Sequence, residues 1–287
     1  MKLALAVPHT PWVPARADSF ARLCTELALG VDPNGNAISV GDLPTDPVVV
    51  RFFTERAANT VWAEKLWTWA AETDADWLVQ IQDDVFVAPC FWPALRAMLS
   101  ALPPEAEVIG LSSVHPMAPE IARRGMRWYR TPGNLVGWLY AVRRKTLKTF
   151  LADRVKLGAT FCAQNEDEQL GLWAHRTGRM VWHPCPAIAD HDVTIPSSYK
   201  NDSHTLRRPQ VTWRTFDERE MTDPTWWKPS GVPDLLNYAP ARACWWCMER
   251  PIKFTSASTG AGICGHCIHA CMSAVLGVGA QSPGLAP

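Results

Sequence analysis

A short apolar segment that ends in two carboxylates constrains the fold of this chain more than any other feature. Residues 77–81 (WLVQI) predict a buried strand, and Asp83 and Asp84 follow after a single residue. Hard divalent cations such as Mg²⁺ or Mn²⁺ take oxygen ligands, often one or two carboxylates together with substrate phosphates. The pair therefore predicts a metal site that serves a nucleotide-linked substrate. The alternative is a solvated Asp-Asp turn that closes the strand.

The first two hundred residues alternate between strand and helix patterns. Strands are predicted at 2–7, 37–40, 77–81, 108–111 and 135–142, and helices from a cap at Asp18 or Ser19 to 27 and at 54–73, 91–102, 144–153 and 166–176. This alternation predicts an α/β fold in which a mostly parallel sheet is covered by helices on both faces. Ligands of such sheets bind beyond the carboxyl ends of the strands, where Asp83 and Asp84 fall.

Four segments carry a resemblance to a known family. They are QDDVFV at 82–87, GNLVG at 133–137, NEDEQLG at 165–171 and DHD at 190–192. In this order they resemble GT-A glycosyltransferases, and most of all the small ones encoded by phages of actinobacteria. The resemblance covers about residues 1–200. It implies a Rossmann-like GT-A fold and metal-dependent transfer of a hexose or pentose from a nucleotide sugar to a hydroxyl.

The same resemblance assigns roles at the metal site. In the family the strand-end aspartates form a D-x-D motif, but here Gln82 stands where the first aspartate would be. Asp84 is therefore the predicted ligand of Mn²⁺ or Mg²⁺, and Asp83 is expected to meet the ribose or a metal-bound water. His191 is the predicted further ligand, since neutral imidazole commonly binds metals. His183 is the competing candidate.

The acidic segment at 165–171 supplies the candidate general base. A carboxylate within hydrogen-bond reach can accept the proton of the attacking hydroxyl, and the resemblance places Asp167 or Glu166 there. The alternative is electrostatic, because acidic residues in the first turn stabilise a helix N-terminus by ~0.3 to 1 kcal/mol.

The donor site is predicted from two segments. The loop after the first strand contains Pro8, His9 and Thr10, and Arg16 could reach a diphosphate, although the segment could instead be a proline-stiffened connection. The helix before the metal strand lies near the nucleotide in the family. No glycine-rich phosphate-binding motif follows a strand of the predicted sheet, which disfavours dehydrogenase and P-loop kinase functions. The predicted nucleotide-sugar site comprises Pro8, His9, Thr10, Arg16, Arg56, Asn59, Lys65 and Asp83.

The C-terminal region carries a second organised signal. Cys244 and Cys247 form one C-x-x-C pair, and Cys264 and Cys267 form another after sixteen intervening residues. This spacing predicts a four-cysteine structural zinc site of the ribbon type. A disulfide framework or a redox pair is the alternative. Further donors that could replace one cysteine are His266, His269 and Cys271.

These signals divide the chain into four parts. We expect a catalytic domain at 1–192, an irregular Pro/Trp/Arg-rich linker or acceptor-side wrap at 193–243, a zinc module at 244–271 and a flexible tail at 272–287. The N-terminal apolar run is too short for a signal peptide, and no apolar stretch reaches membrane-spanning length. We therefore expect a cytoplasmic protein, in the host cell if a phage encodes it.

Charge bears on the acceptor. Twenty-eight basic and twenty-eight acidic residues cancel, which argues mildly against a nucleic-acid partner. Clusters of arginines with aromatic residues, at 123–130, 143–145 and 207–208, are nevertheless compatible with phosphate contacts and base stacking. We favour a hydroxymethylated pyrimidine of phage DNA as the acceptor over a protein hydroxyl. The other classes considered are a nucleotidyltransferase and a non-catalytic zinc-containing adaptor for nucleic acid or protein.

Overall fold

The computed structural model describes residues 1–31, 37–39, 48–54, 59–162, 165–192, 194–195, 209–235, 254–255 and 262–263. The chain divides into two compact units, Met1–Asp234 and Leu235–Pro287. Within the described residues, no helix is long and apolar enough to cross a membrane.

The strands and helices of the first unit alternate along the chain. The strands are β1 (Leu3–Pro8), β2 (Leu29–Val31), β3 (Ala37–Ser39), β4 (Val48–Phe53), β5 (Trp77–Ile81), β6 (Val85–Val87), β7 (Val108–Gly110), β8 (Trp128–Thr131), β9 (Leu139–Arg143), β10 (Val181–Pro184) and β11 (Ala189–His191). The helices are α1 (Pro14–Glu26), α2 (Asn59–Glu72), α3 (Phe91–Ala101), α4 (Ala118–Arg123), α5 (Arg144–Leu157), α6 (Ala159–Cys162), α7 (Glu166–Arg176) and α8 (Glu218–Met221).

A seven-stranded sheet with the order β4-β1-β5-β9-β7-β10-β8 forms the centre of this unit. The pairs β1–β4, β1–β5 and β7–β10 are parallel, whereas β9 is antiparallel to β5 and β7, and β8 is antiparallel to β10. Five of the seven strands therefore run in one direction. The predicted α/β fold with a largely parallel sheet is confirmed at this level.

Hydrophobic cores lie on both faces of the sheet. Along β1, Leu3, Leu5 and Val7 point into a core shared with α1 and α3, because alternate residues of a strand face opposite sides. Ala4 and Ala6 point into a second core, which contains residues of α2, α5 and α7. The small alanines allow α2 to pack close to β1.

Some boundaries differ from the predicted ones. Helix α1 begins at Pro14 rather than near Asp18, because proline at the first helical position loses no hydrogen bond. Residues 135–138 form a loop, and the strand that follows starts at Leu139. Strand β4 was not predicted from the sequence. It lies at the edge of the sheet and leaves most of its side chains partly exposed, so it lacks the continuous burial of a central strand.

The segment after the predicted catalytic domain also contributes to the first unit. Trp213, Met221 and Trp227 are buried in the core that contains α1 and α3. The indole of Trp128 donates a hydrogen bond of 2.6 Å to the backbone carbonyl of Trp227. The compact unit therefore continues past residue 192, to Asp234.

In the second unit, β12 (Phe254–Thr255) and β13 (Gly262–Ile263) form an antiparallel pair. The four cysteines of the predicted zinc module lie outside the described residues.

His183 is a core residue of β10 and not part of the site at the end of β5. Its Nε2 lies 2.9 Å from the hydroxyl of Thr131, and its ring stacks on Tyr129 with the centroids 4.8 Å apart. A Cβ at Gly110 would come within 2.7 Å of the imidazole, so glycine is required beside it. Burial is the main cause that lowers the pKa of His183 to about 4.

This depressed pKa predicts a loss of stability in mild acid. An unfolded histidine titrates near pH ~6.5, so as the pH falls the unfolded chain binds a proton before folded His183 does. The free energy of unfolding should therefore fall between pH ~6.5 and ~4, by about 3 kcal/mol from this residue. Urea unfolding at stepped pH should show a flatter dependence for His183→Gln. The exposed His175, changed to Gln, is the control, and equal slopes for wild type and His183→Gln would contradict the assignment.

Candidate functional site

The site is built where β5 ends and a small two-stranded ribbon begins. In this ribbon β6 pairs antiparallel with β11, which places His191 opposite Val85. The amide of Asp192 donates a hydrogen bond of 2.8 Å to the carbonyl of Asp84, which extends the pairing by one step. As a result Nε2 of His191 lies 3.2 Å from Oδ2 of Asp84. The structure thus brings together the two residues predicted as metal ligands.

Asp83 is held entirely by protein donors. Its Oδ2 lies 2.9 Å from Nδ1 of His9 and accepts hydrogen bonds from the amide and the hydroxyl of Thr10, at 2.8 and 3.2 Å. Its Oδ1 accepts a hydrogen bond from the guanidinium of Arg16. Asp83 is 1% exposed, so these contacts compensate a charge that water cannot reach. The loop after β1 and the first turn of α1 are thereby fixed to the end of β5.

Asp84 has an incomplete set of partners. Its Oδ2 accepts a hydrogen bond of 2.6 Å from Arg16, while its buried Oδ1 has no hydrogen-bond partner in the described part of the chain. Burial raises the pKa of Asp84, but the hydrogen bond and charge of His191 and the charge of Arg16 outweigh it, so the pKa lies below its ordinary value. Asp84 is therefore ionised at neutral pH, and one of its buried oxygens is bound by no described residue.

A glycine contact brings a loop onto the start of α7. Gly133 has φ +86°, and a Cβ on Gly171 would lie 2.3 Å from the carbonyl oxygen of Gly133. Glycine at both positions therefore allows the 132–138 loop to touch the helix backbone. Further along this loop, a Cβ on Gly137 would come within 2.8 Å of Oε1 of Glu166. The close approach aligns the loop with the acidic first turn of α7.

The acidic turn faces the end of β5 through this loop. The amide of Gly137 donates a hydrogen bond of 3.0 Å to Oδ2 of Asp167. Glu166 is 3% exposed, and its Oε1 accepts a hydrogen bond of 3.4 Å from Nε2 of Gln82. The backbone N–H of Gln82 in turn donates a hydrogen bond of 2.9 Å to the backbone carbonyl of Trp138. Both candidate bases therefore lie near the C-terminal end of β5, where Asp83 and Asp84 are found.

Trp138 is a site residue that the sequence reasoning missed. It is 3% exposed, its ring centroid lies 5.7 Å from that of His191, and its indole Nε1 has no hydrogen-bond partner among the described residues. A buried indole N–H usually finds a partner, so a ligand acceptor is expected there. The only sequence signal is its position next to Gly137, because tryptophan is common throughout this chain.

The donor set at Asp84 fits a hard divalent cation that is completed by a substrate. Asp84 and His191 are the residues that could hold such an ion, because Nε2 of His191 lies 3.2 Å from Oδ2 of Asp84 and Oδ1 of Asp84 has no partner among the described residues. Within the described ranges, no cluster of three or more His, Cys, Asp or Glu side chains could hold a metal. The protein would thus supply two ligands, and phosphate and water oxygens would supply the others.

The remaining predicted donor residues are less closely placed. Pro8 ends β1 beside Phe53, directly before the loop that holds Asp83. Lys65 is an exposed residue in the middle of α2, and Asn59 is the first residue of that helix. Arg56 lies outside the described residues.

No protein-family profile matches the chain, and no curated protein sequence matches it. Among solved structures, the A197 protein of STIV is 15% identical, with 67% of this chain and 85% of that chain covered at a TM-score of 0.39. A mutant of Drosophila β1,4-galactosyltransferase 7, in complex with manganese, UDP-Gal and xylobiose, is 13% identical, with 77% and 79% covered at 0.37. A glycosyltransferase involved in glycosylation of the major capsid of PBCV-1 is 10% identical, with 62% and 78% covered at 0.29. Likenesses this weak carry no argument about function.

The different surroundings of the two aspartates predict different effects of the same substitution. Asp83→Asn replaces an oxygen that faces protein donors with an NH₂ group, so it should lower the free energy of unfolding by about 3 kcal/mol. Asp84→Asn should cost clearly less, because the new NH₂ group can occupy the unpartnered Oδ1 position. Chemical denaturation of both variants measures the difference. A larger loss for Asp84→Asn would contradict this division of roles.

Proposed function

We propose that this protein is a metal-dependent glycosyltransferase that transfers a sugar from a nucleotide-sugar donor to a hydroxyl acceptor. One observation carries the proposal: the half-partnered carboxylate of Asp84 lies beside His191, and the loop at Gly137 and Trp138 connects this pair to the acidic turn of α7. Cation-binding oxygen, imidazole, an indole donor and a second carboxylate group thus line one end of the sheet. These groups suit transfer from a diphosphate, in which negative charge on the leaving group has to be stabilised.

Asp84 and His191 are the residues that would hold the cation. When bound, a divalent ion stabilises the negative charge that develops on a leaving diphosphate. The guanidinium of Arg16 donates a hydrogen bond of 2.6 Å to Oδ2 of Asp84. This buried group is also suited to bind phosphate oxygens in a bidentate manner. A diphosphate would therefore compete for Arg16 and leave Asp84 open to the cation. His9 and Thr10 keep Asp83 in place during this exchange, since both bind its other oxygen.

Asp167 is the proposed general base. Its Oδ2 is oriented by the amide of Gly137, and Asp167 is more accessible than Glu166, which is buried. An acceptor hydroxyl that enters over the first turn of α7 could pass its proton to this carboxylate as its oxygen attacks the anomeric carbon. Glu166 then has a supporting role, because Gln82 already binds its Oε1.

The geometry disfavours the nucleotidyltransferase alternative. Two-metal chemistry needs a further carboxylate near the first. Asp192 is the neighbour of Asp84 across the ribbon, but Arg22 donates 3.0 Å to its Oδ2 and the hydroxyl of Thr194 donates 2.6 Å to its Oδ1. Arg22 therefore already balances the charge of this carboxylate.

The proposed acceptor is a hydroxymethylated pyrimidine in DNA, with a protein hydroxyl as the alternative. In the first unit, several clustered arginines have partners within the fold: Arg123 and Arg124 each bind Glu120 at 2.6 Å, and Arg130 binds Asp234 at 2.6 Å. The choice of DNA therefore depends on the resemblance and on the proposed zinc module. In that module Cys244, Cys247, Cys264 and Cys267 would bind one structural zinc.

The donor half of this function can be tested without knowledge of the acceptor. With a panel of nucleotide sugars, the purified protein should hydrolyse at least one in the presence of Mn²⁺ and not after chelation. Asp84→Asn should lose at least about 10²-fold in rate, because one ligand charge is removed. Asp153→Asn, which changes a partly exposed carboxylate on α5, is the matched control. Near wild-type hydrolysis by Asp84→Asn at saturating Mn²⁺ would refute the assignment.

The base assignment predicts a kinetic effect without a binding effect. Asp167→Asn should lower turnover by ~10² or more and leave nucleotide affinity unchanged, because a general base acts only in the transition state. Glu168→Gln changes the exposed neighbour in the same turn and should keep normal turnover. Calorimetric titration with the nucleotide diphosphate separates the two effects. A pure affinity defect would move Asp167 to the donor site, and a larger effect of Glu166→Gln would move the base by one residue.

A further inference from the structure

A glutamine is buried in a strand whose other residues are all apolar. Gln80 belongs to β5, between Val79 and Ile81, and is completely buried. A buried side-chain amide that lacks partners is destabilising, so a strand of this kind ordinarily carries an apolar residue there. Both polar atoms of the Gln80 side chain have hydrogen-bond partners. Oε1 accepts from Tyr140 of β9, and Nε2 donates to Gly137 in the loop beside the site.

A hydrogen-bond chain starts behind the sheet and ends at the proposed base. The indole of Trp67 donates 2.9 Å to the hydroxyl of Tyr140, and this hydroxyl donates to Oε1 of Gln80. Nε2 of Gln80 donates 2.7 Å to the carbonyl of Gly137. The amide of Gly137 then donates 3.0 Å to Asp167. Each donor points toward Asp167. The bonds from Trp67 to the carbonyl of Gly137 form a sequence in which hydrogen bonds strengthen one another. The amide of Gly137 belongs to the preceding peptide group, so the last bond is connected to the others through the backbone of this glycine.

Tyr140 determines the donor-to-acceptor direction of these hydrogen bonds, because its hydroxyl accepts from Trp67 and donates to Gln80. It lies directly opposite Gln80 in the antiparallel pairing of β5 with β9. Burial first, and then the charges of Glu166 and Asp167, raise the pKa of Tyr140 well above its ordinary value. The residue is therefore a neutral hydroxyl at any working pH, able to accept from Trp67 and to donate to Gln80 at the same time.

Gly137 is consequently held on both of its peptide groups. Its carbonyl is bound from the sheet by Gln80, and its amide is bound to the carboxylate of Asp167. Gly137 also lies close to the first turn of α7, because a Cβ on it would come within 3.2 Å of Cγ of Asp167. The position of the Asp167 carboxylate is thus linked to the buried side-chain amide of Gln80 through Gly137. We call the hydrogen bonds from Gln80 to Gly137 and from Gly137 to Asp167 the clamp.

We infer that Gln80 and Tyr140 are positioning residues, which fix Gly137 and through it the carboxylate of Asp167 in the orientation that accepts a proton. This inference rests on the proposed function in one respect, the role of Asp167 as the base. Both side chains are completely buried, and they would act through the hydrogen bond from Gln80 to the carbonyl of Gly137. Displacement of a catalytic group by ~1 Å can lower a rate by about 10²-fold, so loss of the clamp should be visible in turnover.

The kinetic test compares variants along the chain with a matched packing variant. Gln80→Leu should lower kcat by about 10-fold or more with the donor KM unchanged, and Tyr140→Phe should lower it by a smaller factor. Phe150→Leu is the control, because Phe150 packs edge-on against Trp67, with ring centroids 4.9 Å apart, without joining the hydrogen bonds. This variant should lose stability and keep its kcat. The inference is overturned if kcat falls in all three variants in proportion to lost stability.

A second measurement does not depend on activity. Hydrogen exchange of the Gly137 amide should be faster in Gln80→Leu and Tyr140→Phe than in Phe150→Leu, at conditions of equal global stability. Unchanged exchange in Gln80→Leu would overturn the clamp even if turnover falls. If the wild type hydrolyses no nucleotide sugar, the proposed function fails, and the exchange result alone decides whether the clamp exists.

Discussion

Two adjacent carboxylates are buried at the end of β5, and the surrounding elements are placed to compensate their charge. Removing one partner of a buried ion pair typically costs about 3–5 kcal/mol, more than most surface contacts contribute. The loop after β1, the first turn of α1 and the ribbon of β6 and β11 all meet at this point. Burial of Asp83 and Asp84 therefore fixes the geometry of three segments that are distant in sequence.

The two carboxylates are compensated unequally, and this difference has a chemical consequence. Asp83 is fully occupied by His9, Thr10 and Arg16, so it acts as a structural anchor. Asp84 shares Arg16 and retains an unpartnered oxygen. A dication beside an arginine is repelled unless additional negative charge is present. A diphosphate supplies that charge, so under the proposed function cation and nucleotide favour each other's binding.

The sequence predicted the parts of this site that depend on local patterns. The strand at 77–81 and the helix at 166–176 were predicted with the boundaries that the structure shows, because an apolar run and an acidic first turn are visible within a few residues. The contact between His191 and Asp84 depends on a three-residue strand, too short for any periodicity, so only the resemblance pointed to it. His191 contacts Asp84, whereas His183 contacts Thr131 in the core. These contacts join residues that are distant in sequence, so local sequence patterns could not distinguish the two histidines.

The residues that sequence reasoning missed share a physical cause. Gln80 and Trp138 read as ordinary members of apolar segments, and their importance comes from what their single polar groups meet across the sheet. A polar atom in an apolar strand has to find a partner, so Gln80 marks a point where the core is not simply hydrophobic. Its partner is Gly137, which also binds Asp167, so hydrogen bonds connect the interior of the sheet to the proposed base. A core substitution behind β5 can therefore act on chemistry at its end.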